Sequence, residues 1–185
     1  LKKILKEYWL LFLISPLIIL IDQITKAIVR ANIPFGSRWM PWEWLAPYFR
    51  FVHWQNTGAA FGLFQQGGLV FSILAILVSL FIIFYFPQIP RNEIMMRAAL
   101  ALQLGGAIGN LIDRIRFGPV TDFISFGDFP VFNVADASIS IGVAILILGL
   151  WISERKAKDE ALLAEDDESV DSGTGEGPLQ SGFDI

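Results

Sequence analysis

Cysteine is absent from the chain, and histidine occurs once, at His53. The first absence excludes disulfides, a thiol nucleophile and any cysteine-ligated metal. The second leaves a histidine-built metal site or a Ser-His-Asp triad without support, and His53 reads as an interfacial or packing residue. Charge is also scarce. Only 17% of the 185 residues are Asp, Glu, Lys or Arg, against 54% hydrophobic, and the mean hydropathy is +0.56. A soluble domain of this size carries more charge, so the balance points to a membrane protein. The few charges are unevenly placed. Residues 1–153 hold 11 basic side chains against 8 acidic ones, whereas residues 154–185 hold 3 against 10.

Four apolar stretches approach the ~20 residues that a helix needs to cross a bilayer. They run from about Tyr8 to Val29, Leu69 to Phe86, Met95 to Ile112 and Val134 to Ile152. Lys2, Lys3 and Lys6 precede the first, as in a secretory signal. That segment is long for one, and no small-residue cleavage motif follows it, so it is expected to be a span. Basic residues gather at the N-terminus, at Arg91 and Arg97, and at Arg155, Lys156 and Lys158. Four spans put these regions on one side, which the positive-inside rule makes the cytoplasm, with both termini there.

Between the first two spans, residues 30–68 hold four of the six tryptophans: Trp39, Trp42, Trp44 and Trp54. Pro34, Pro41 and Pro47 break any long helix. Tyr48 to Trp54 has the aromatic and β-branched content of a strand. The expectation is an all-α membrane protein of four transmembrane helices with a small β-rich, Trp-rich extracytoplasmic lobe between helices 1 and 2. Residues 1–158 would form this membrane domain. Residues 159–185, with Glu165-Asp166-Asp167-Glu168 followed by Ser, Gly, Thr and Pro, read as a disordered acidic cytoplasmic tail.

Polar residues within and beside the spans all fall at one membrane level, the outer one. Asp22, Gln23, Thr25 and Lys26 lie near the end of span one, with Asp22 and Lys26 one helical turn apart and able to pair. Asn56 precedes span two, Asn110, Asp113 and Arg114 end span three, Asp122 follows, and Asn133 and Asp136 open span four. Ordinary helix-end polarity would occupy both ends. One composite site is the simpler account, and two carboxylates converging there would share a proton. Two other chemistries would use some of the same residues. Lys26 with Ser125 or Ser138 would suit a Ser/Lys protease, and Asp22, Asp113 and Asp136 would suit a membrane transporter or ion relay. The former leaves most of the polar residues unexplained. The latter predicts charges through the bilayer depth and internal repeats, and neither is present.

Five motifs occur in order: Asp-Gln-Ile-Thr-Lys (22–26), Asn-Thr-Gly-Ala-Ala-Phe-Gly (56–62), Gly-Asn-Leu-Ile-Asp-Arg (109–114), Gly-Pro-Val-Thr-Asp-Phe (118–123) and Phe-Asn-Val-Ala-Asp (132–136). Together they closely resemble the lipoprotein signal peptidase (signal peptidase II) family. The resemblance implies an intramembrane aspartyl endopeptidase of the bacterial inner membrane. It would cut diacylglyceryl-modified prolipoproteins just before the lipidated cysteine. It implies Asp122 and Asp136 as the catalytic dyad, and Asn56, Asn110, Arg114 and Asn133 around the substrate. Asp22 and Lys26 would brace the site, and Asp113 would hold Arg114 in place. The expected partners are the prolipoprotein, membrane lipid and globomycin-type inhibitors, with no cofactor, metal or nucleic acid.

Overall fold

The computed structural model describes residues 2–58 and 67–173. Residues 59–62 of the Asn56 motif lie outside them. Four helices dominate: α1 (Lys2–Asn32), α2 (Gly68–Tyr85), α3 (Ile94–Phe117) and α4 (Val134–Gly173). Each is long and apolar enough to cross a membrane. The expected spans fall within six residues of these helices at every end but one, the end of α4. Residues 1–147 form one compact unit, which contains the whole of the site described below. From Leu148 the rest of α4 belongs to a second unit. Its backbone stays helical to Gly173, where the sequence leads one to expect disorder from Asp159. The run Glu160-Ala-Leu-Leu-Ala-Glu165 contains only strong helix formers, which explains the extension.

α3 is the central helix of the first unit. Some 56% of its span is buried, against 22% for α1 and 17% for α2. Large apolar side chains on α1 and α2, such as Leu13, Leu20, Leu77 and Phe81, stay exposed and suit a lipid solvent. Small residues bring α3 close to its neighbours. A Cβ on Gly106 would meet the Ala135 carbonyl of α4 at 2.4 Å, and one on Gly109 would meet an Asp22 carboxylate oxygen of α1 at 2.8 Å. Leu10, Leu11, Ile82, Phe86, Leu100 and Leu104 close one apolar core among α1, α2 and α3.

Three strands form one antiparallel sheet in the order β1 (Arg38–Trp39), β2 (Phe49–Asn56), β3 (Val120–Phe126). This corrects the expected lobe. Its first two strands come from between α1 and α2, but β3 comes from between α3 and α4. Val120-Thr-Asp-Phe-Ile-Ser-Phe126 is rich in β-branched and aromatic residues, so the strand signal was present there. The strand on Tyr48–Trp54 is observed as Phe49–Asn56. Its register with β3 slips between Phe51 and Trp54, after which Trp54 pairs with Asp122 and Asn56 with Val120. The slip sets Asn56 near Asp122. Val29 of α1 and Ile33 just past its end pack on Phe123 and anchor the sheet to the helices.

Candidate active site

Asp122 and Asp136 reach the same cleft from different elements. Asp122 stands in β3 and Asp136 in the first turn of α4. The cleft has a volume of about 530 Å³, and Asn56, Asn110 and Arg114 also line it. One residue spans the two carboxylates. Asn133 Nδ2 donates to Asp122 Oδ1 at 2.7 Å, and the Asn133 backbone N–H donates to Asp136 Oδ2 at 3.2 Å. In return, Asn133 Oδ1 accepts from the Asp136 N–H at 2.9 Å. This reciprocal pairing is a capping box, with Asn133 as N-cap and Asp136 three residues on. The motif that starts α4 therefore also orients one of the two carboxylates.

Amides hold the other carboxylate oxygens. Asn56 Nδ2 donates to Asp122 Oδ2 at 3.0 Å, and Asn110 Nδ2 donates to Asp136 Oδ1 at 2.7 Å. Asn110 can point only one way. Its Oδ1 accepts from Lys26 Nζ at 2.9 Å and from Asn133 Nδ2 at 3.1 Å, and an ammonium can only donate. The Asn110 amide nitrogen is thereby turned toward Asp136. Asp122 is 1% exposed. Burial first, and then the charge of Asp136, push its pKa from 3.8 up to about 7, against the lowering effect of the Asn56 and Asn133 hydrogen bonds.

Behind the amides lies a buried ion cluster. Lys26 Nζ sits 2.9 Å from Asp22 Oδ2 and 3.4 Å from Asp113 Oδ2, and Arg30 lies 3.6 Å from Asp113 Oδ1. Two anions and two cations make the cluster neutral. Its carboxylates also seize backbone beside each candidate catalytic residue. Asp22 Oδ1 accepts from the Ala135 N–H at 3.0 Å, next to Asp136, and Asp113 Oδ2 accepts from the Thr121 N–H at 3.0 Å, next to Asp122. Gln23 Nε2 binds the Gly109 carbonyl at 3.0 Å and touches both Asp22 and Asp113.

The residues expected at one site are brought together, with two differences. Asp113 spends its carboxylate on Lys26, Arg30 and Thr121 rather than on Arg114, because α3 turns Asp113 toward α1. Arg114 lies instead by the cleft, its guanidinium 5.6 Å from the centre of the Phe71 ring. Among the described residues the partners of Lys26 Nζ are Asp22, Asp113 and Asn110, not a serine. Ser125 Oγ accepts from Arg50, and Ser138 Oγ donates to the Ala135 and Leu102 carbonyls. Gln23, Arg30 and Thr121 were not singled out as site residues from the sequence. Arg30 could have been, since Asp22, Lys26 and Arg30 stand at successive i,i+4 positions along one stripe of α1.

Four spanning-length helices and a cleft that holds one buried and one half-buried carboxylate define a multi-pass membrane protein of enzyme type. The family model described as signal peptidase (SPase) II matches residues 14–152. Among curated proteins, the lipoprotein signal peptidase of Halothermothrix orenii is 38% identical over 79% of this chain and 98% of its own length. The lipoprotein signal peptidase of Coxiella burnetii is 40% identical over 80% of this chain and 93% of its own. That of Staphylococcus aureus is 34% identical over 80% and 91%. A solved bacterial membrane enzyme superposes with a TM-score of 0.72 at 30% identity, covering 78% of this chain and 88% of that one. The chain belongs to the signal peptidase II family, and it is a peptidase, a hydrolase of the membrane.

Proposed function

We propose that the chain is an intramembrane aspartyl endopeptidase that removes the signal peptide from diacylglyceryl-modified prolipoproteins, cutting just before the lipidated cysteine. The observation that supports this most is the bridge that Asn133 makes between Asp122 and Asp136. Two carboxylates joined through one small residue, in a cleft lined largely by apolar side chains, cannot easily both be ionised. The ionised one takes a proton from water as the water attacks the scissile carbonyl. The protonated one donates a hydrogen bond to the carbonyl oxygen as charge builds there. A carboxyl titrating near 7 is suited to exchange protons at neutral pH. Arg114 supplies positive charge at the cleft, and the asparagines keep both carboxylates in place between cycles.

In this reading the substrate's acyl chains stay in lipid while the peptide enters the cleft at the outer face of the inner membrane. The N-terminus lies in the cytoplasm, and so does the acidic tail. Globomycin-type inhibitors would occupy the same cleft. The test is a gel-shift cleavage assay with purified protein and a diacylglyceryl-modified prolipoprotein. Asp122→Asn and Asp136→Asn should each lower turnover by at least about 10²-fold, the usual worth of a positioned acid or base. Circular dichroism should show both variants still helical. Near wild-type turnover in either variant overturns the dyad. A chelator should leave turnover unchanged, and inhibition reversed by a divalent ion would overturn the proposed mechanism.

A further inference from the structure

A second polar cleft, of about 550 Å³, opens on the sheet and among the described residues shares only Val131 with the cleft of Asp122 and Asp136. Its lining is cationic. Arg38 comes from β1 and Arg50 from β2, and among the described residues no acidic one lines the cleft. Neither arginine makes an ion pair among the described residues. Arg50 donates from Nε to Ser125 Oγ at 3.1 Å, which leaves its terminal nitrogens for another partner. His53 is 8% exposed and lines the same cleft. Its Nδ1 lies 2.7 Å from the Ile33 carbonyl, so that nitrogen carries a hydrogen, and its buried Nε2 has no partner. Buried polar atoms without partners are rare enough to require an explanation.

An apolar groove of about 600 Å³ accompanies the polar cleft. Ile28 and Val29 of α1 and Ile33 just past its end line it with Trp39, Phe51 and Phe123 of the three strands. Consecutive residues, Arg38–Trp39 and Arg50–Phe51, thus serve the two clefts, and side chains alternate across a strand. β1 is the edge strand, so both openings flank the free edge of the sheet. The groove continues the exposed apolar side of α1 formed by Leu20, Ile24 and Ile28. Trp39, Trp42, Trp44, Tyr48 and Trp54 are all exposed on this lobe. Such rings favour the headgroup level of a bilayer, where phosphates lie.

We propose that this edge binds a membrane phospholipid, its phosphate held by Arg38 and Arg50 and an acyl chain laid in the groove beside Trp39. Guanidinium forks match phosphate oxygens in pairs. The Ser37 hydroxyl completes the donor set. The lipid is distinct from the substrate of the proposed reaction, whose diacylglyceryl group has no phosphate. It would tie the lobe to the membrane surface beside the cleft.

The test uses the full chain purified in mild detergent, with lipid retention read by native mass spectrometry. Added dioleoylphosphatidylglycerol should be retained by the wild type, and dioleoylglycerol, which lacks the phosphate, should not. Arg38→Gln with Arg50→Gln should retain at least tenfold less phospholipid, and the Lys/Lys pair should fall between. Arg116→Gln, an exposed cation on α3, serves as the control for general loss of surface charge and should retain it fully. Cleavage in phospholipid-free detergent should match wild type in all these variants. Equal retention by the wild type and the Gln/Gln variant overturns the proposal, as does equal loss in Arg116→Gln. Displacement of the lipid by millimolar inorganic phosphate would mark a free-phosphate site and overturns it too. A raised substrate KM for the Gln/Gln variant in phospholipid-free detergent would assign the cleft to the substrate peptide instead.

Discussion

Replacing Asp122 by asparagine separates what its carboxyl does to folding from what it does to chemistry. The carboxyl is 1% exposed and titrates near 7 in the folded protein, against 3.8 for a free carboxyl. A folded-state pKa above the unfolded one means that folding takes up a proton. Stability from this group is therefore fully present below pH 3.8 and is lost as pH rises through about 7. Each pH unit inside that window is worth about 1.4 kcal/mol, so moving from pH 5 to pH 8.5 removes about 2.7 kcal/mol from the wild type. Asparagine cannot titrate and escapes this loss. It carries a constant penalty instead. Both Asp122 oxygens accept amide hydrogens, from Asn133 and Asn56, and the new NH₂ must face one of those donors. That mismatch costs about 1–3 kcal/mol at any pH. Asp122→Asn should thus gain about 2.7 kcal/mol relative to wild type between pH 5 and pH 8.5. Chemical unfolding of both proteins in the same detergent, followed by tryptophan fluorescence at the two pH values, measures it. Comparing the two proteins cancels the pH dependence of groups that Asp122 does not influence. A wild-type-to-variant difference that stays constant to within about 0.5 kcal/mol would refute the reasoning.

Three further outcomes are expected. Asp22→Asn leaves the buried cluster with one excess positive charge and should lower stability by up to about 3–5 kcal/mol, with some turnover kept. Asp22→Asn with Lys26→Met restores neutrality and should recover part of that loss, and a double variant that loses the full sum of the two single losses would show that the pair is not coupled. Gly106→Ala forces a methyl against the Ala135 carbonyl and should cost about 1–3 kcal/mol in detergent unfolding. Its turnover should fall as well, since α4 carries Asp136, and an unchanged thermal midpoint would contradict the close packing. Asn133→Ala removes the N-cap oxygen that accepts from the Asp136 N–H, at a cost of about 1 kcal/mol, and takes the Nδ2 donor away from Asp122, while the backbone donor to Asp136 stays. Turnover should drop at least tenfold while the helical circular-dichroism signal stays within a few per cent.

The helices were legible because lipid imposes a strong rule. A chain must hide its backbone in long apolar helices, and such runs stand out by composition alone. The candidate site was legible for the converse reason, since Asp22, Asp113, Asp122 and Asp136 had no other account beside apolar runs. Three things were not legible. β3 is only seven residues long, and nothing local says that it pairs with β2 across more than sixty residues of chain. Asp113 could face Lys26 or Arg114, and only the rotation of α3 against α1 decides between them. Arg30 looked like one more cation outside the cytoplasm until β3 brought Thr121 within 2.9 Å of it.

Asp22 and Lys26 sit one turn apart on α1 and touch at 2.9 Å with no help from any other helix. That closeness matters for how the protein is made. α1 leaves the ribosome before α3 and meets the bilayer before Asn110 and Asp113 have been synthesised. A lone Asp or Lys opposes helix insertion by up to about 3.5 kcal/mol at mid-membrane. Joined as neighbours on one helix, the two enter as a near-neutral dipole. The later helices then find a finished anchor waiting, and the order of synthesis becomes the order of assembly.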